Sequence, residues 1–381
     1  MLDRFSVYIH FPTLLKIVRT TYSRQAIHPR HAILTCAFLF MFIVLRCIVS
    51  LVRMLDLVFF PGYRNQPIIA PIYIVGNPRS GTTFSHRLLA QDDQFTYFKL
   101  WHTIFPAVTF YKVFGFCSIV DRWVGRPFSR AMNWVSGKGF RGWESIHQTG
   151  PAAAESDEML FMYAMLSPLL GLMFPFFREL DVAMFVDHLP EKNKRKLMVY
   201  YRDCLQRHLY ATGPERILLQ KVALIAGRIQ TIYETFPDMR IVHLVRHPYE
   251  SIPSLVSMFQ VPWKSLAPQA LTDTRRSREL AQIIYAYYRS LLVMKQRLPD
   301  SQFIEVRYED LVADPKRTVE RIYQEYGLEL SLKFNDSLDK EVERAKAYQS
   351  RHAYSLDDCG LTRDEVREAL ADVFEAYGFR P

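Results

Sequence analysis

The run Ile72-Tyr-Ile-Val-Gly76-Asn-Pro-Arg79-Ser80-Gly81-Thr82-Thr83-Phe84 sets the tightest limit on what this chain can become. Apolar residues of strand type lead into a Gly/Pro turn, the turn closes on small hydroxyl residues, and a helical pattern follows over 84–91. Strand, tight turn and helix in that order point the unpaired N–H groups of the first helical turn outward, where they can hold an anion. The spacing Gly76-x4-Gly81-Thr82-Thr83 follows the nucleoside-triphosphate loop, with one change. The place of its lysine is taken by Thr82, and the fixed charge sits inside the loop at Arg79. Metal-assisted phosphoryl transfer also needs a carboxylate on a neighbouring strand. The best later strand, Ile241–Val245, ends in Arg246 instead. Arginine in both places predicts a ligand whose anionic groups are neutralised by side chains, with no metal required.

The rest of the chain repeats the strand–helix alternation. Strands are expected at 72–75, 95–98, 217–219, 241–245 and 303–307. Helices are expected at 84–91, 152–165, 191–209, 228–235, from Pro248 onward, at 275–297 and at 316–326. Pro248 suits a helix start, while Pro253 should distort that helix early. Asp314 and Gly327 read as the cap and the stop of the 316–326 helix. This pattern predicts an α/β three-layer, P-loop-like fold with a parallel sheet covered on both faces. Ligands of such sheets gather at the C-terminal ends of the strands. Arg79, Lys221 and Arg246 all fall at or just past strand ends, so one crevice is expected to hold them. Residues 100–150 are aromatic and Gly-rich without clean periodicity and are read as the acceptor side of that crevice.

Three segments carry a family resemblance. Pro78-Arg79-Ser80-Gly81-Thr82-Thr83 resembles the 5′-phosphosulfate loop of sulfotransferases that use 3′-phosphoadenosine 5′-phosphosulfate, in the Arg-bearing form of the bacterial and Golgi-type branch. Ile241-Val-His-Leu-Val-Arg246, with Ser254 eight residues on, is similar to the family's 3′-phosphate segment, although His247 stands where an Asp is usual. Arg307-Tyr308-Glu309-Asp310-Leu311 resembles the strand–turn–helix near the family's C-terminal end. The resemblance covers about residues 68–381. It implies that Arg79, Ser80, Gly81, Thr82 and Thr83 hold the 5′-phosphosulfate and that Arg246 and Ser254 hold the 3′-phosphate. It also implies that adenine stacks on Phe84 or Tyr308, and that a polar loop with Ser350, Arg351 and His352 closes over the nucleotide.

Sulfuryl transfer builds negative charge on the leaving phosphate oxygen, and Arg79 and Lys221 suit its stabilisation. Lys221 matches the lysine that ends the preceding strand in the Golgi-type branch, with Val222-Ala223 in place of the usual proline-containing dipeptide. A base must take the acceptor's proton. His102, soon after the second strand, is the first candidate, because an imidazole titrates near neutrality. The acidic run Glu155-Ser-Asp157-Glu158 is the rival, represented by Glu158, and its alternative use is to complement a helix dipole. His147 is the third candidate.

Ahead of the loop, 32–52 reads AILTCAFLFMFIVLRCIVSLV, long enough to cross a bilayer but interrupted by Arg46. Arg46, Ser50 and Arg53 recur at helical spacing as a polar stripe. Three placements fit: in the membrane interface with Arg stems reaching headgroups, across the membrane with Arg46 snorkelling, or packed on the protein's own core. The division expected is a membrane-associating segment over 1–66 and a sulfotransferase domain over 67–381. The active site is expected on the cytoplasmic side. A net charge of +9 favours anionic partners, and without a nucleic-acid motif a membrane surface or a nucleotide ranks above nucleic acid. Five scattered cysteines make no disulfide framework. The function expected is therefore transfer of a sulfuryl group to a hydroxyl, or an amine, of an amphipathic, lipid- or sugar-type acceptor. The alternatives are a P-loop-like nucleotide phosphotransferase and a non-catalytic, membrane-attached nucleotide-binding protein.

Overall fold

A computed structural model describes residues 7–23, 29–77, 79–126, 154–271, 273–346 and 355–380. Its strands are β1 (Ile72–Gly76), β2 (Phe95–Thr96), β3 (Ile217–Val222), β4 (Arg240–Val245) and β5 (Phe303–Arg307). They pair in the order β2-β3-β1-β4-β5, parallel throughout. Side chains alternate across this sheet, as the two-residue period of a strand requires. Tyr73, Val75, Leu218, Val222, Ile241 and Val245 enter one core, and Ile72, Ile74, Leu219, Val242, Leu244 and Ile304 enter another. Because both faces are buried, the strands read as continuous apolar runs.

The helices that bear on the site are α1 (Phe11–Thr21), α2 (Pro29–Phe59), α3 (Thr82–Leu89), α4 (Leu100–Ile104), α5 (Val108–Trp123), α6 (Glu158–Tyr163), α7 (Glu191–Thr212), α8 (Ile229–Thr235), α9 (Pro248–Leu266), α10 (Thr274–Arg297), α11 (Tyr308–Ala313), α12 (Pro315–Tyr326) and α13 (Leu332–Lys346). Residues of α3, α12 and α13 fill the second core, and residues of α7, α8, α9 and α10 fill the first. The three-layer α/β fold with a parallel sheet and an N-terminal apolar helix is thus present.

Several local expectations change. β2 covers only 95–96 of the strand expected at 95–98, and β3 runs on to Val222, so that Lys221 lies inside the strand and not past its end. α9 is one helix from Pro248 to Leu266, running through Pro253 and Pro262. Its buried face of Ile252, Leu255, Val256, Phe259 and Trp263 holds it together despite the missing hydrogen bonds. The helix expected over 152–165 begins only at Glu158. Before it, Ala154 pairs with Lys99 in an antiparallel bridge, and the Glu155 N–H donates to the Phe98 carbonyl at 2.8 Å. Extended pairing there takes the backbone groups that a helix would use.

The polar stripe of α2 faces inward. Arg46 donates to the backbone carbonyls of Val7, Tyr8 and Tyr163. Arg53 is buried and pairs with Asp203 of α7. Asp56 is buried and accepts from the N–H groups of Val108 and Thr109 and from Arg207 Nε, at 2.9, 2.7 and 2.8 Å. Arg207 also pairs with Asp203. Two arginines and two aspartates therefore neutralise one another between α2, α5 and α7, as buried charges must. The apolar side of the same helix is left outside.

Candidate functional site

The site is built on the C-terminal edge of the sheet, where β1 gives way to the loop. Gly76 ends β1 at a point where a Cβ would lie 2.6 Å from the Leu244 carbonyl oxygen, so only glycine lets β1 and β4 close up there. Arg79 then sits at φ +70° and Gly81 at φ +85°. Left-handed backbone is ordinary for glycine and costly for arginine. The Ser80 N–H donates to the Asn77 carbonyl at 3.2 Å, and Ser85 N–H to Gly81 carbonyl at 3.0 Å opens α3. No side chain caps α3. Helix geometry leaves the N–H groups of Thr82, Thr83 and Phe84 without intrahelical partners. The Ser80 hydroxyl is buried and finds no protein partner. An uncapped helix start beside an orphaned hydroxyl fits an anionic group such as a phosphate.

The second cation reaches this loop directly. Arg246 follows β4, and its Nη1 donates to the Arg79 carbonyl at 2.6 Å. Its Nε and Nη2 donate to Glu250 Oε2 at 2.9 and 2.7 Å. Arginine has five N–H donors, so two remain for a further acceptor. The Tyr288 hydroxyl donates to the Arg246 carbonyl at 2.7 Å and fixes the backbone. The Arg246 guanidinium lies 4.3 Å from the centre of the Tyr308 ring, a cation–π distance. Tyr308 in turn lies against Gly81, where a Cβ would come within 3.2 Å of its ring. Arg79, Gly81, Arg246 and Tyr308 are therefore brought together. Ser254 is buried on α9, two turns along from Arg246. Phe84 is partly buried against the core shared by α3 and α12.

Lys221 lies near the end of β3, opposite Ile74 of β1 and two residues short of the level of Gly76. It is buried, and its Nζ donates to Glu155 Oε1 at 2.9 Å. Glu155 is held in turn by its backbone bond to Phe98. His86 of α3 is buried beside this pair, and burial, with Lys221 adding, pushes its pKa down to about 3. The ring is therefore neutral at physiological pH.

Two of the three bases named from the sequence, Glu158 and His102, are held by other partners. Glu158 opens α6 with its carboxylate taken by Arg228 and by the Ser167 hydroxyl at 2.6 Å. His102 is buried, accepts from the Lys99 N–H at Nδ1 at 3.0 Å, and packs against Trp101, Tyr111 and His208. Burial, with His208 and Lys99 adding, holds its pKa far below the usual imidazole value. Between Glu155 and Glu158, Asp157 accepts from the Tyr201 hydroxyl, and burial lifts its pKa to about 6. His147, Ser350, Arg351 and His352 lie outside the described residues. Sequence reasoning missed His86, Tyr288 and Glu250, which touch or flank the site without belonging to any motif. Among the described residues, no cluster of three or more His, Cys, Asp or Glu is placed to hold a metal.

A parallel three-layer sheet with an anion-type loop at its C-terminal edge defines a P-loop-like α/β protein. A sequence model of the sulfotransferase family matches residues 71–331, and the chain belongs to that family. It is 27% identical over 316 residues to the omega-hydroxy-beta-dihydromenaquinone-9 sulfotransferase Stf3 of Mycobacterium bovis and of Mycobacterium tuberculosis, covering 81% of this chain and 75% of that one. The fold is similar to the crystal structure of sulfotransferase STF1 from Mycobacterium tuberculosis H37Rv. That match has a TM-score of 0.69 and 19% identity over 97% of this chain and 92% of that one. It is also similar to sulfotransferase STF9 from Mycobacterium avium, with a TM-score of 0.71 and 19% identity over 88% and 85% of the two chains.

Proposed function

We propose that this sulfotransferase takes its sulfuryl group from 3′-phosphoadenosine 5′-phosphosulfate and passes it to the hydroxyl of a lipid-type alcohol at a membrane surface. The observation that carries the donor reading is the 2.6 Å bond from Arg246 to the Arg79 carbonyl. It brings together two cationic segments that the two ends of a doubly phosphorylated nucleotide would need. The loop N–H groups, Arg79 and the Ser80, Thr82 and Thr83 side chains would hold the 5′-phosphosulfate. Arg246, with Ser254, would hold the 3′-phosphate, and Tyr308 offers a ring near the same edge. The donor supplies an activated sulfuryl group, and the adenosine bisphosphate leaves with the bonding electrons.

Lys221 would neutralise the charge that gathers on the leaving oxygen. Glu155 would take the acceptor's proton in place of Glu158 or His102; what supports this is that it lies against Lys221, while Glu158 is bound to Arg228. The acceptor oxygen attacks sulfur, its proton goes to Glu155, and the sulfur–oxygen bond to the phosphate breaks. A lipid alcohol is favoured because the named relative acts on a hydroxylated menaquinone derivative and because α2 leaves its apolar side exposed. The domain carrying the chemistry is taken as 67–381, with 1–66 as a membrane-associating segment and the active site on the cytoplasmic side.

The test is transfer of labelled sulfate from the phosphosulfate donor to a panel of long-chain and isoprenoid alcohols in detergent, without added metal. Label on a lipid alcohol, abolished by Lys221→Ala, is the expected result. Transfer of labelled phosphate from ATP with Mg²⁺ in a parallel assay, or no transfer despite tight bisphosphate binding, would support the phosphotransferase or the non-catalytic reading.

A further inference from the structure

The amphipathicity of α2 is inverted. From Ile33 to Phe59 every exposed residue is apolar, including Phe40 (72% exposed), Leu51 (62%) and Val58 (71%). Its charged residues in that stretch, Arg46, Arg53 and Asp56, point into the protein. Burying the polar face and wetting the apolar one is unfavourable in water unless something else covers the apolar side. α1 and α5 add further exposed apolar residues beside it. α1 exposes Phe11 and Leu15, while α5, which packs on α2, exposes Phe116, Ile119 and Trp123, the last at 88%.

Charge selects the occupant. The exposed charged residues of the three helices are Lys16, Arg19, Arg30, Lys112 and Arg122, all cations, of which Lys16 pairs with Asp181 of the body. Two copies of the chain laid face to face would bring like charges together, which opposes docking. Anionic headgroups around an apolar layer would satisfy both the cations and the apolar side chains.

The contacts of α2 also decide its orientation. The helix is fastened to the body at His31, whose Nε2 bonds the Met173 carbonyl at 2.9 Å, and again at Arg46, Arg53 and Asp56. From residue 31 to residue 56 that attachment runs about 37 Å, more than the roughly 30 Å of a bilayer's hydrocarbon core. If α2 crossed the membrane, α6, α7 and their buried ion pairs would be drawn into lipid beside it. We infer that α2, flanked by α1 and α5, lies in the plane of an anionic membrane surface as a monotopic anchor and does not span it. This rests on the membrane-surface reading above and adds its geometry. It also brings the bilayer to the site: Arg46 holds the Tyr163 carbonyl at the end of α6, the short helix that begins three residues after Glu155. A lipid alcohol would then reach Glu155 from the side, with its chain still in the membrane.

The full chain is floated with phosphatidylcholine vesicles with and without phosphatidylglycerol. Binding should be stronger with the anionic lipid, weaken with salt, and fall at least tenfold in Phe40→Glu/Leu51→Glu. Orientation is read with spin labels on Phe40→Cys and on Leu51→Cys, each in a Cys36→Ser/Cys47→Ser/Cys117→Ser background. These positions are three helical turns apart on one face. In-plane docking gives them the same depth within about one turn, 5 Å, whereas a spanning helix separates them by about 16 Å. Unequal depths of that size overturn the inference and leave membrane binding intact. Failure of the wild-type chain to float, with a dimer by light scattering, overturns both. In each case the melting-temperature rise with adenosine 3′,5′-bisphosphate reports separately on the donor site. If the double glutamate variant does not fold, the depth pair alone decides.

Discussion

Three acidic residues within four positions look alike in the sequence and do different work in the fold. Glu155 meets Lys221, Asp157 meets Tyr201, and Glu158 meets Arg228. The partners lie 44 to 70 residues away, so their identity was not legible from the run itself. The misplaced helix start compounded this, since a helix from 152 would have given the acids a different phase. Kinetics and stability measurements separate them. Lys221→Ala and Glu155→Gln should each lower kcat by about a hundredfold or more, with bisphosphate affinity changed by less than about threefold. Glu158→Gln should leave the chemistry largely in place and instead cost stability, about 3 kcal/mol, because buried Arg228 keeps only the more distant Asp157 carboxylate, at 4.0 Å. Denaturant midpoints alongside single-turnover rates distinguish the two patterns. By contrast, Arg79, Arg246 and Tyr308 were readable, because each sits within three residues of a strand end and strand ends of one parallel sheet share an edge.

At the scale of elements, the strands were legible because continuous apolar runs flanked by turns have few other uses. α5 was not, because its exposed side is as apolar as its buried side and shows no helical period. The stripe on α2 was visible, but its direction was not. The charges it meets, Asp203 and Arg207, lie about 150 residues away. The loop between β1 and α3 gives the sharpest test at this scale. Gly81→Ala would place a Cβ at φ +85° and 2.9 Å from Leu311, next to Tyr308. The variant should lose about 1–2 kcal/mol of stability and most of its bisphosphate affinity, measured by thermal melting with and without ligand. An equivalent substitution at the exposed, open Gly115 should do neither.

For the whole molecule, four of the buried histidines dominate the response to acid. His86, His208 and His243 are pushed down to about 3 by burial, and His102 lower still, against an ordinary value of 6.5. Between those limits the unfolded chain binds protons that the folded chain refuses. Their stabilisation is therefore complete above about pH 6.5 and is lost as pH falls, each group removing about 1.4 kcal/mol per pH unit. Asp157, raised to about 6, works in the opposite direction, since the folded chain keeps its proton between about pH 4 and 6. Four groups outweigh one, so the melting temperature should drop steeply from pH 7 to pH 5; a flat profile would show that these rings are solvated. On the proposed reading, one nucleotide would be gripped at both ends by segments 167 residues apart that meet at the Arg79 carbonyl. Calorimetric titration of adenosine 3′,5′-bisphosphate and of adenosine 5′-monophosphate into wild type and Arg246→Ala tests it most directly. The account predicts that wild type prefers the bisphosphate by at least tenfold and that Arg246→Ala binds both alike, at the weaker level. Equal affinities in wild type, or a preference that survives in Arg246→Ala, would contradict it.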